Sequence, residues 1–372
     1  MKVQGYQKSV DAKKKKVMIS FQDGGENGGP YTSHRRIMNS RLKDIYEYVP
    51  YRIPKGRIGF FNVKLIRNLK KQIKDANPDL VHIHGLQLAG FHYALAAYLC
   101  KKPIVLAVRG SSDEARDFAK WKKKLVHILE KWTIKMSDIV YGVSDYVCSW
   151  KIVKKHAKGK LYGTVYNLMQ LENATNESSK QKVREELSIA SDDIVVVSTG
   201  RITEEKGFKI LCEAIVKLKN EKHIKFVIVG DGSYLEEFKR TIKDENLEDK
   251  VLFTGYQKDV NPYLESADIF AICSLHETLC NSLIEAGAKG LPLIAPKIGG
   301  MPEIVKHNEN GILLKRNDPD CVAENIRILS EDEKLRKMLG NNARKYIEDT
   351  FSQDVIIGKI QKMYEMCLGE KK

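Results

Sequence analysis

The sequence predicts an α/β protein made of two doubly wound domains. Short apolar runs rich in β-branched residues alternate with longer stretches of helical periodicity along almost the whole chain. The chain has 372 residues, which is enough for two hydrophobic cores. The polar stretch QLENATNESSKQ at 170–181 lacks periodicity and is typical of an interdomain linker.

These observations divide the chain into five segments. Residues 1–16 are a basic lead-in that we expect to be disordered, and residues 17–170 form an N-terminal Rossmann-like domain. Residues 171–190 form the linker, and residues 191–350 a second Rossmann-like domain. Residues 351–372 are predicted to be a C-terminal helix.

Charge is distributed unevenly between the two halves. Residues 1–172 carry 33 Lys and Arg against 14 Asp and Glu, whereas residues 173–372 carry 30 against 34. The basic half is therefore expected to meet an anionic partner, such as a membrane surface or a lipid-phosphate acceptor. A nucleic-acid partner is disfavoured, because no recognised module or interleaved aromatic motif is present.

The seven cysteines are odd in number, scattered, and free of metal-binding spacing, which indicates a reduced, cytoplasmic protein. The polar N-terminus does not resemble a signal peptide, and no apolar run is long enough to span a membrane. We therefore expect a cytoplasmic protein, with peripheral attachment to the inner face of the cell membrane as an open alternative.

The first half begins with a strand, VMISF at 17–21, followed by the glycine-rich loop DGGENGGP at 23–30 and a helix over 31–42. This order suits close approach of the backbone to phosphates, but the loop is not a G-x-G-x-x-G fingerprint, and a simple glycine turn remains open. Further helices are expected at 62–74 and 88–99, and strands at 78–85, 103–108, 138–144 and 161–167. In PDLVHIHG, His82 and His84 point to the same side of a strand, but no third ligand for a metal is evident.

A long helix is expected over 114–136, with an apolar stripe at helical spacing among many lysines. The stripe consists of Phe118, Trp121, Leu125, Ile128, Trp132 and Met136. Packing of this stripe into the core, with a solvated basic face, is the first interpretation. The second is an interfacial helix that rests on anionic lipid.

In the second half, the strand IVVVSTG at 194–200 leads into RITEEKGF at 201–208. Arg201 and Lys206 follow the strand, and Gly200 and Gly207 flank the turn. Two cations there suit the charge of a departing diphosphate. FVIVGDGS at 226–233 reads as a strand and a glycine turn, VLFTGYQ at 251–257 as a strand and a loop, and IFAICS at 269–274 as a strand. Helices are expected at 319–330, 333–348 and 352–367.

The stretch HETLCNSLIEAGAKGLPLIA at 276–295 reads as a loop, a helix over 278–289 and a short strand. Glu277 and Glu285 are eight positions apart. This spacing places them roughly 12 Å apart along the axis of one helix and on nearly the same face. The first free N–H groups of the helix, near Thr278 to Ser282, form an anion site between them. A diphosphate flanked by two hydroxyl-rich groups has the shape of a nucleotide sugar.

The Glu-x7-Glu spacing, A-x-x-x-G-x-P, GGMPEIV and G-R-x-x-x-x-K-G at 200–207 together resemble family 4 of the retaining glycosyltransferases, which have the GT-B fold. The resemblance implies two Rossmann-like domains facing across a cleft, with the C-terminal helix crossing back to the first. It implies hexosyl transfer from a UDP-sugar or GDP-sugar to a lipid-linked or saccharide acceptor in cell-surface polysaccharide or lipopolysaccharide synthesis. No cofactor and no metal are expected.

By this resemblance, the catalytic residues are Arg201, Lys206 and Glu277. The donor is bound by Gly28, Gly29, Gly200, Gly255, Tyr256, Thr278, Leu279, Cys280, Asn281, Ser282 and Glu285. Candidate sugar or acceptor contacts are His84, Arg109 and His276. Many family members carry a His where this chain has Arg109, which leaves the identity of the donor sugar open.

Two further functions keep the same fold: a nucleotide-sugar epimerase, and a non-catalytic nucleotide-sugar-binding protein. An epimerase would consume donor without acceptor. A nicotinamide dehydrogenase is disfavoured, because the dinucleotide fingerprint is missing.

Overall fold

The computed structural model describes residues 14–22, 29–56, 58–112, 120–171 and 177–369. Within these ranges the chain divides into two compact units. The first contains residues 1–142, 148–168 and 357–372, and the second contains residues 143–147 and 169–356. Each unit is built on a six-stranded parallel sheet with helices, which confirms the predicted fold class.

The first unit contains strands β1 (Lys15–Gln22), β2 (Tyr46–Ile53), β3 (Leu80–His84), β4 (Ile104–Val108), β5 (Ile139–Gly142) and β6 (Leu161–Thr164). Their order in the sheet is β2-β1-β3-β4-β5-β6. The helices that precede β6 in the chain are α1 (Gly29–Asn39), α2 (Val63–Ala76), α3 (Leu88–Leu99), α4 (Lys120–Met136), α5 (Asp145–Ser149) and α6 (Lys151–His156). A 3₁₀ turn lies at Arg41–Asp44. Every residue of β3 and β4 is buried, as expected for parallel strands covered on both faces.

The second unit contains strands β7 (Ile194–Thr199), β8 (Ile224–Val229), β9 (Val251–Gly255), β10 (Ile269–Ala271), β11 (Leu293–Pro296) and β12 (Gly311–Leu314). Their order is β12-β11-β10-β7-β8-β9. The remaining helices are α7 (Glu177–Glu186), α8 (Phe208–Lys217), α9 (Leu235–Asp244), α10 (Asn261–Ser266), α11 (Asn281–Ala288), α12 (Met301–Ile304), α13 (Pro319–Glu331), α14 (Glu333–Phe351) and α15 (Gln353–Cys367). Phe226, Phe238 and Phe270 are fully buried in this unit.

Both sheets have a point where the winding direction reverses. In the second sheet it lies between β7 and β10, and in the first between β1 and β3. The loops that leave the carboxyl ends of two such strands diverge to opposite faces and leave a crevice, which is where ligands bind in open α/β sheets. The fold therefore directs attention to the loops after β7 and β10, and after β1 and β3.

Strand β2 was not predicted. Its sequence, YEYVPYRI, contains Pro50 and several aromatic residues, and it forms the edge of the first sheet. A proline is tolerated on an edge strand because one side of the strand needs no ladder hydrogen bonds. The predicted lead-in at 1–16 is also too long, since Lys15 and Lys16 already belong to β1.

The predicted linker at 171–190 contains a packed helix, α7. Its Arg184 is buried, donates from Nη2 to Asp268 Oδ2 at 2.6 Å, and donates from Nε to the Ser266 carbonyl at 3.0 Å. These bonds attach α7 to the segment that enters β10. The prediction of a free linker is therefore wrong for residues 177–190, because a buried guanidinium organises them.

The core-packing interpretation predicts that the apolar stripe of α4 faces the core, but in the structure this stripe faces outward. Its buried side carries Val126, Glu130, Thr133 and Ile134, whereas the predicted stripe is outside. Trp121 is 62%, Leu125 37%, Ile128 50% and Trp132 50% exposed. Position 118 lies outside the described residues. Glu130 explains the orientation, because its carboxylate accepts from Ser112 N at 2.6 Å and Ser112 Oγ at 2.7 Å inside the unit.

The C-terminal helix α15 changes unit along its length, since residues from Ile357 onward belong to the first unit. Tyr364 is fully buried there and lies at hydrogen-bond distance, 2.7 Å, from His82 Nδ1. His82 Nε2 is 2.9 Å from the Tyr141 hydroxyl. Strands β3 and β5 are thus linked to the end of the chain through one imidazole.

Candidate functional site

The loop after β7 carries the two predicted cations. Gly200 has φ 151° and Gly207 has φ 73°, both in the region that favours glycine. A Cβ on Gly207 would lie 1.9 Å from the Cys273 carbonyl oxygen, so only glycine lets this loop pack against the segment after β10. Arg201 is exposed, whereas Lys206 is half-buried. The Arg201 side chain forms no ion pair with the residues that the structure describes.

The loops after β7 and β10 meet through an ion pair. Lys206 Nζ donates to Glu277 Oε1 at 2.6 Å, and Ser274 Oγ lies 3.3 Å from the same oxygen. The backbones are joined as well, because Leu275 N donates to the Glu205 carbonyl at 2.9 Å. A cation and a carboxylate are thus held together at the reversal point of the sheet.

Helix α11 begins later than predicted. It starts at Asn281, with Cys280 at the N-cap position, so Glu277 lies in the preceding loop and Glu285 on the helix. The expected separation of two carboxylates along one helix is therefore wrong. Cys280 makes no capping hydrogen bond with its side chain, and burial raises the pKa of its thiol to about 12. The N-terminal N–H groups near Asn281 and Ser282 therefore keep the character of an anion site.

Two glycines of GGMPEIV support the backbone of the β10 loop. Gly299 has φ 56°, and a Cβ on it would lie 1.7 Å from the Glu277 carbonyl oxygen. A Cβ on Gly300 would lie 2.4 Å from the Thr278 carbonyl oxygen. Gly300 N also donates to the Glu277 carbonyl at 3.3 Å. This second loop fixes the path of the chain through Glu277.

The other predicted donor residues of the second unit are distributed as follows. Gly255 ends β9 with φ 68°, and its carbonyl accepts from Gly230 N at 2.9 Å. Tyr256 is 64% exposed directly after it. Leu279 is buried, whereas Thr278 and His276 are half-buried. The structure therefore gathers Lys206, Glu277 and the start of α11, and leaves Tyr256 as a free aromatic surface.

In the first unit, Gly28 lies outside the described residues, and Gly29 begins α1. Arg109 follows β4 and is held by two side chains: Nη1 donates to Asn167 Oδ1 at 2.6 Å, and Nη2 to Ser33 Oγ at 2.8 Å. Burial lowers the pKa of Arg109, and the Tyr141 hydroxyl opposes that shift. The guanidinium is thus fixed in orientation between α1 and the segment after β6.

His84 lies in a stack of three buried imidazoles. The rings of His34 and His84 are 3.6 Å apart and those of His82 and His84 4.2 Å apart, measured between centroids. Burial lowers the pKa of His82 to about 3 and lowers the pKa of the other two well below the usual value. The nearby Arg109 charge acts in the same direction. All three imidazoles are therefore neutral at physiological pH.

Sequence reasoning missed Ser33, Ser274, His34 and Asn317 near these sites. Asn317 Nδ2 donates to the Cys273 carbonyl at 2.8 Å and so holds the backbone of the segment that follows β10. Each of these residues comes from a distant part of the chain and belongs to no short motif. Gly299 and Gly300 carried a signal, since paired glycines before a helix indicate close backbone approach.

Within the described residues, no group of three or more His, Cys, Asp or Glu side chains is arranged to hold a metal ion. None of the helices in the described ranges is both long and apolar enough to cross a bilayer.

Comparison with known proteins gives matches over most of the chain. The model of the family Glycosyl transferases group 1 matches residues 179–346, and that of Glycosyltransferase Family 4 matches residues 24–151. N-acetyl-alpha-D-glucosaminyl L-malate synthase of Bacillus anthracis is 25% identical over 336 residues, covering 88% of this chain and 82% of the relative. An Escherichia coli enzyme, UDP-Gal:alpha-D-GlcNAc-diphosphoundecaprenol alpha-1,3-galactosyltransferase, is 27% identical, covering 82% of this chain and 81% of the relative.

Among solved structures, HepE of Anabaena in complex with UDP superposes with a TM-score of 0.77 at 20% identity. The superposition covers 95% of this chain and 100% of that one. The likeness confirms the fold, and the family matches confirm the resemblance drawn from the motifs. The chain therefore belongs to glycosyltransferase family 4 and has the GT-B fold.

Proposed function

We propose that this glycosyltransferase transfers a hexosyl group, with retention of configuration, from a UDP-sugar to a lipid-linked saccharide used in cell-surface polysaccharide synthesis. One observation carries the proposal. Lys206 and Glu277 meet at 2.6 Å where the second sheet reverses, beside the start of α11, whose N-cap side chain makes no capping bond. A cation, a carboxylate and the N-terminal end of a helix are what a sugar diphosphate needs at one place.

The diphosphate is the group that the cations meet. Lys206 and Arg201 neutralise the charge that develops on it as the glycosidic bond breaks, and the N–H groups near Asn281 and Ser282 share that charge. The backbone N–H groups of α11 are held in place by the helix before the reaction, so they need little reorganisation. Lys206 and Arg201 supply the positive charge, so we propose that transfer proceeds without a metal.

The two carboxylates bind hydroxyl groups at the two ends of the donor. Glu277, in the loop before α11, accepts from hydroxyls of the sugar, and Glu285, on the helix, accepts from those of the ribose. Tyr256 offers an exposed ring for the base to stack on. Because Glu277 is bonded to Lys206, sugar and diphosphate are recognised by one connected group of side chains.

Retention follows if the acceptor hydroxyl attacks from the face that the diphosphate leaves. A diphosphate oxygen then takes the acceptor proton, and no side chain is required as the base. Arg109, fixed by Asn167 and Ser33, is proposed to contact the donor sugar or the acceptor from the first unit. Its planar guanidinium suits paired hydroxyls or an anionic group.

Three facts support the choice of donor and acceptor. The solved HepE structure contains UDP, and the Escherichia coli relative is named for a UDP-Gal donor and a diphosphoundecaprenol-linked acceptor. The first 172 residues of this chain are strongly basic, which suits a lipid diphosphate at an anionic surface. We therefore propose that the enzyme acts at the inner face of the cell membrane.

The test is transfer from labelled UDP-sugars to polyprenyl-diphosphate saccharides, with the anomeric configuration of the product read by NMR. Lys206→Ala and Glu285→Gln should each lower transfer at least about a hundredfold. Lys222→Ala, at an exposed position of the same unit, should leave it unchanged. Transfer should persist in EDTA. Normal turnover in both active-site variants would refute the assignment, and consumption of donor without acceptor would instead indicate an epimerase.

A further inference from the structure

Helix α4 presents an apolar face that no other part of the described chain covers. Trp121, Leu125, Ile128 and Trp132 follow one another at steps of four, three and four residues, which places them on one side of the helix. This group, here called the tryptophan stripe, extends about 16 Å along the axis. Its members are 37–62% exposed. Apolar side chains gathered in this way indicate a surface that binds something.

The outward orientation is built into the fold. Glu130 is fully buried and binds Ser112 through both carboxylate oxygens, so the helix cannot rotate to hide the stripe without breaking two short hydrogen bonds. Thr133 and Ile134, on the same side as Glu130, are also buried. The tryptophans are therefore exposed because the inner face of α4 is already occupied by Glu130, Thr133 and Ile134.

Lysines border the tryptophan stripe. Lys122 lies 5.5 Å from the ring centroid of Trp121, and Lys135 lies 5.2 Å from that of Trp132. Glu130 is the only acidic residue of α4 and is inside, so the lysines beside the stripe have no acidic neighbour on the helix. The long lysine side chains can extend to headgroups while the rings enter the interfacial layer.

The basic surface continues on both sides of α4. Burial lowers the pKa of His156 in the adjacent helix α6, and the positive charges of Lys131, Lys135 and Lys155 lower it further. An open groove of about 610 Å³ lies at the carboxyl end of α4. It is lined by Tyr98, Leu99, Lys101, Lys102, Lys135 and Asp138, among others. Apolar and cationic groups alternate there, as they do along α4.

We infer that the tryptophan stripe and its lysines are a docking surface for a bilayer containing anionic phospholipid. Tryptophan is enriched at the membrane–water boundary, and each lysine near an anionic surface adds attraction. The charge pattern selects this occupant, because a second copy of the same lysine-rich face would be repelled. The inference rests on the proposed function only in that a lipid-linked acceptor has to be reached at a membrane.

The experiment measures sedimentation of the full chain, without donor or acceptor, on two kinds of vesicle. One contains phosphatidylcholine with phosphatidylglycerol, and the other contains phosphatidylcholine alone. Two of the three tryptophans belong to the stripe, so a blue shift of intrinsic fluorescence, followed in a Trp150→Phe background, reports their entry into lipid. Binding to the anionic vesicles should exceed binding to the neutral ones, and salt should weaken it.

Matched variants distinguish binding through the stripe from nonspecific binding through other exposed apolar or basic residues. Trp121→Ser combined with Trp132→Ser should weaken binding to anionic vesicles at least about tenfold. Lys122→Gln with Lys135→Gln should weaken it and reduce its salt dependence. The controls are Ile328→Ser with Met338→Ser, which removes exposed apolar residues of the second unit, and Lys222→Gln with Lys334→Gln, which removes exposed lysines there. Both controls should bind like the parent, and every variant should bind UDP normally.

Four results would overturn the inference: no vesicle binding, equal binding to neutral vesicles, an equal loss in the control variants, or a stripe variant that changes only the oligomeric state in solution. The last would identify the stripe as a contact between copies. Transfer to a soluble acceptor does not depend on docking. If the protein fails to bind vesicles but still transfers sugar to a soluble acceptor, the docking surface is refuted and the proposed reaction is not affected.

Discussion

Replacing Glu277 with Gln is predicted to have opposite effects on binding and on transfer. Lys206 Nζ donates to Glu277 Oε1 at 2.6 Å. If Lys206 is to meet the diphosphate, part of that interaction has to be given up when the nucleotide binds. Glutamine removes the charge but keeps the shape, so Lys206 becomes available for the ligand. UDP should therefore bind more tightly, while sugar transfer is lost.

The magnitude follows from the geometry and the exposure of the pair. A hydrogen bond to a charged group contributes about 1.5–3 kcal/mol when it is well protected. Here the Lys206 and Glu277 side chains are 22% and 12% exposed, so solvent screening reduces the value. We take about 1 kcal/mol, which corresponds to roughly a fivefold lower Kd for UDP. Transfer should fall about a hundredfold, because the sugar loses a charged acceptor at its hydroxyls.

The assay is titration calorimetry with UDP on four proteins: the parent, Glu277→Gln, Lys206→Met and the double variant. Lys206→Met should weaken binding, and adding Glu277→Gln to it should give no further gain, since the gain acts through the lysine. Glu285→Gln is the comparator of opposite sign and should weaken UDP binding. An unchanged or higher Kd in Glu277→Gln, or an equal gain in the Lys206→Met background, would refute the reasoning.

Three further predictions concern stability. Gly299→Ala places a Cβ 1.7 Å from the Glu277 carbonyl oxygen at a backbone φ of 56°, so this variant should have a lower Tm and lower transfer activity. The control is Gly358→Ala, whose Cβ meets nothing within 4 Å and should change neither. Equal Tm values in the two variants would contradict this prediction. His82 has a pKa of about 3 when folded, so the unfolded chain takes up its proton first and stability falls as pH drops below about 6.5. At pH 5 this histidine alone lowers the free energy of unfolding by about 2 kcal/mol. In urea titrations, the His82→Gln variant should therefore lose less unfolding free energy between pH 7.5 and 5 than the parent protein. Equal losses in the two proteins would argue against the prediction. Glu130→Gln replaces a charged acceptor by a neutral amide, so the two bonds to Ser112 lose their charge assistance and the unfolding free energy should fall by about 1–2 kcal/mol in urea titrations. A change below the error of the measurement would show that the carboxylate does not fix the helix.

The two loops of the second unit could be predicted because their chemistry is local in sequence. Gly200, Lys206 and Gly207 lie within one short motif, and Glu277 is fixed relative to α11 by the same run of residues. The start of α11 was placed too early, since apolar spacing does not reveal the N-cap and Cys280 is an unusual residue there. The ion pair between the loops depends on sheet order, which the motifs do not contain.

The orientation of α4 was predicted incorrectly for a different reason. Periodicity shows that one side of a helix is apolar, but not that this side faces inward. The chain carried a second signal, namely a single Glu130 among lysines, in line with the smaller residues Val126, Thr133 and Ile134. A lone acid on the face opposite the tryptophans has its best partner inside the protein. The His34–His84 stack had no such signal, because its members are brought together only by the first sheet.

The buried Tyr364 has a consequence for the order in which the protein is completed during synthesis. The second unit ends at Ile356, and the first unit needs Tyr364, which follows it in the chain, to reach His82. The strands of the first unit are therefore synthesised long before Tyr364, and one side of His82 stays unsatisfied until the second unit has been synthesised. A substitution at Tyr364 would therefore disturb the unit whose strands are synthesised first.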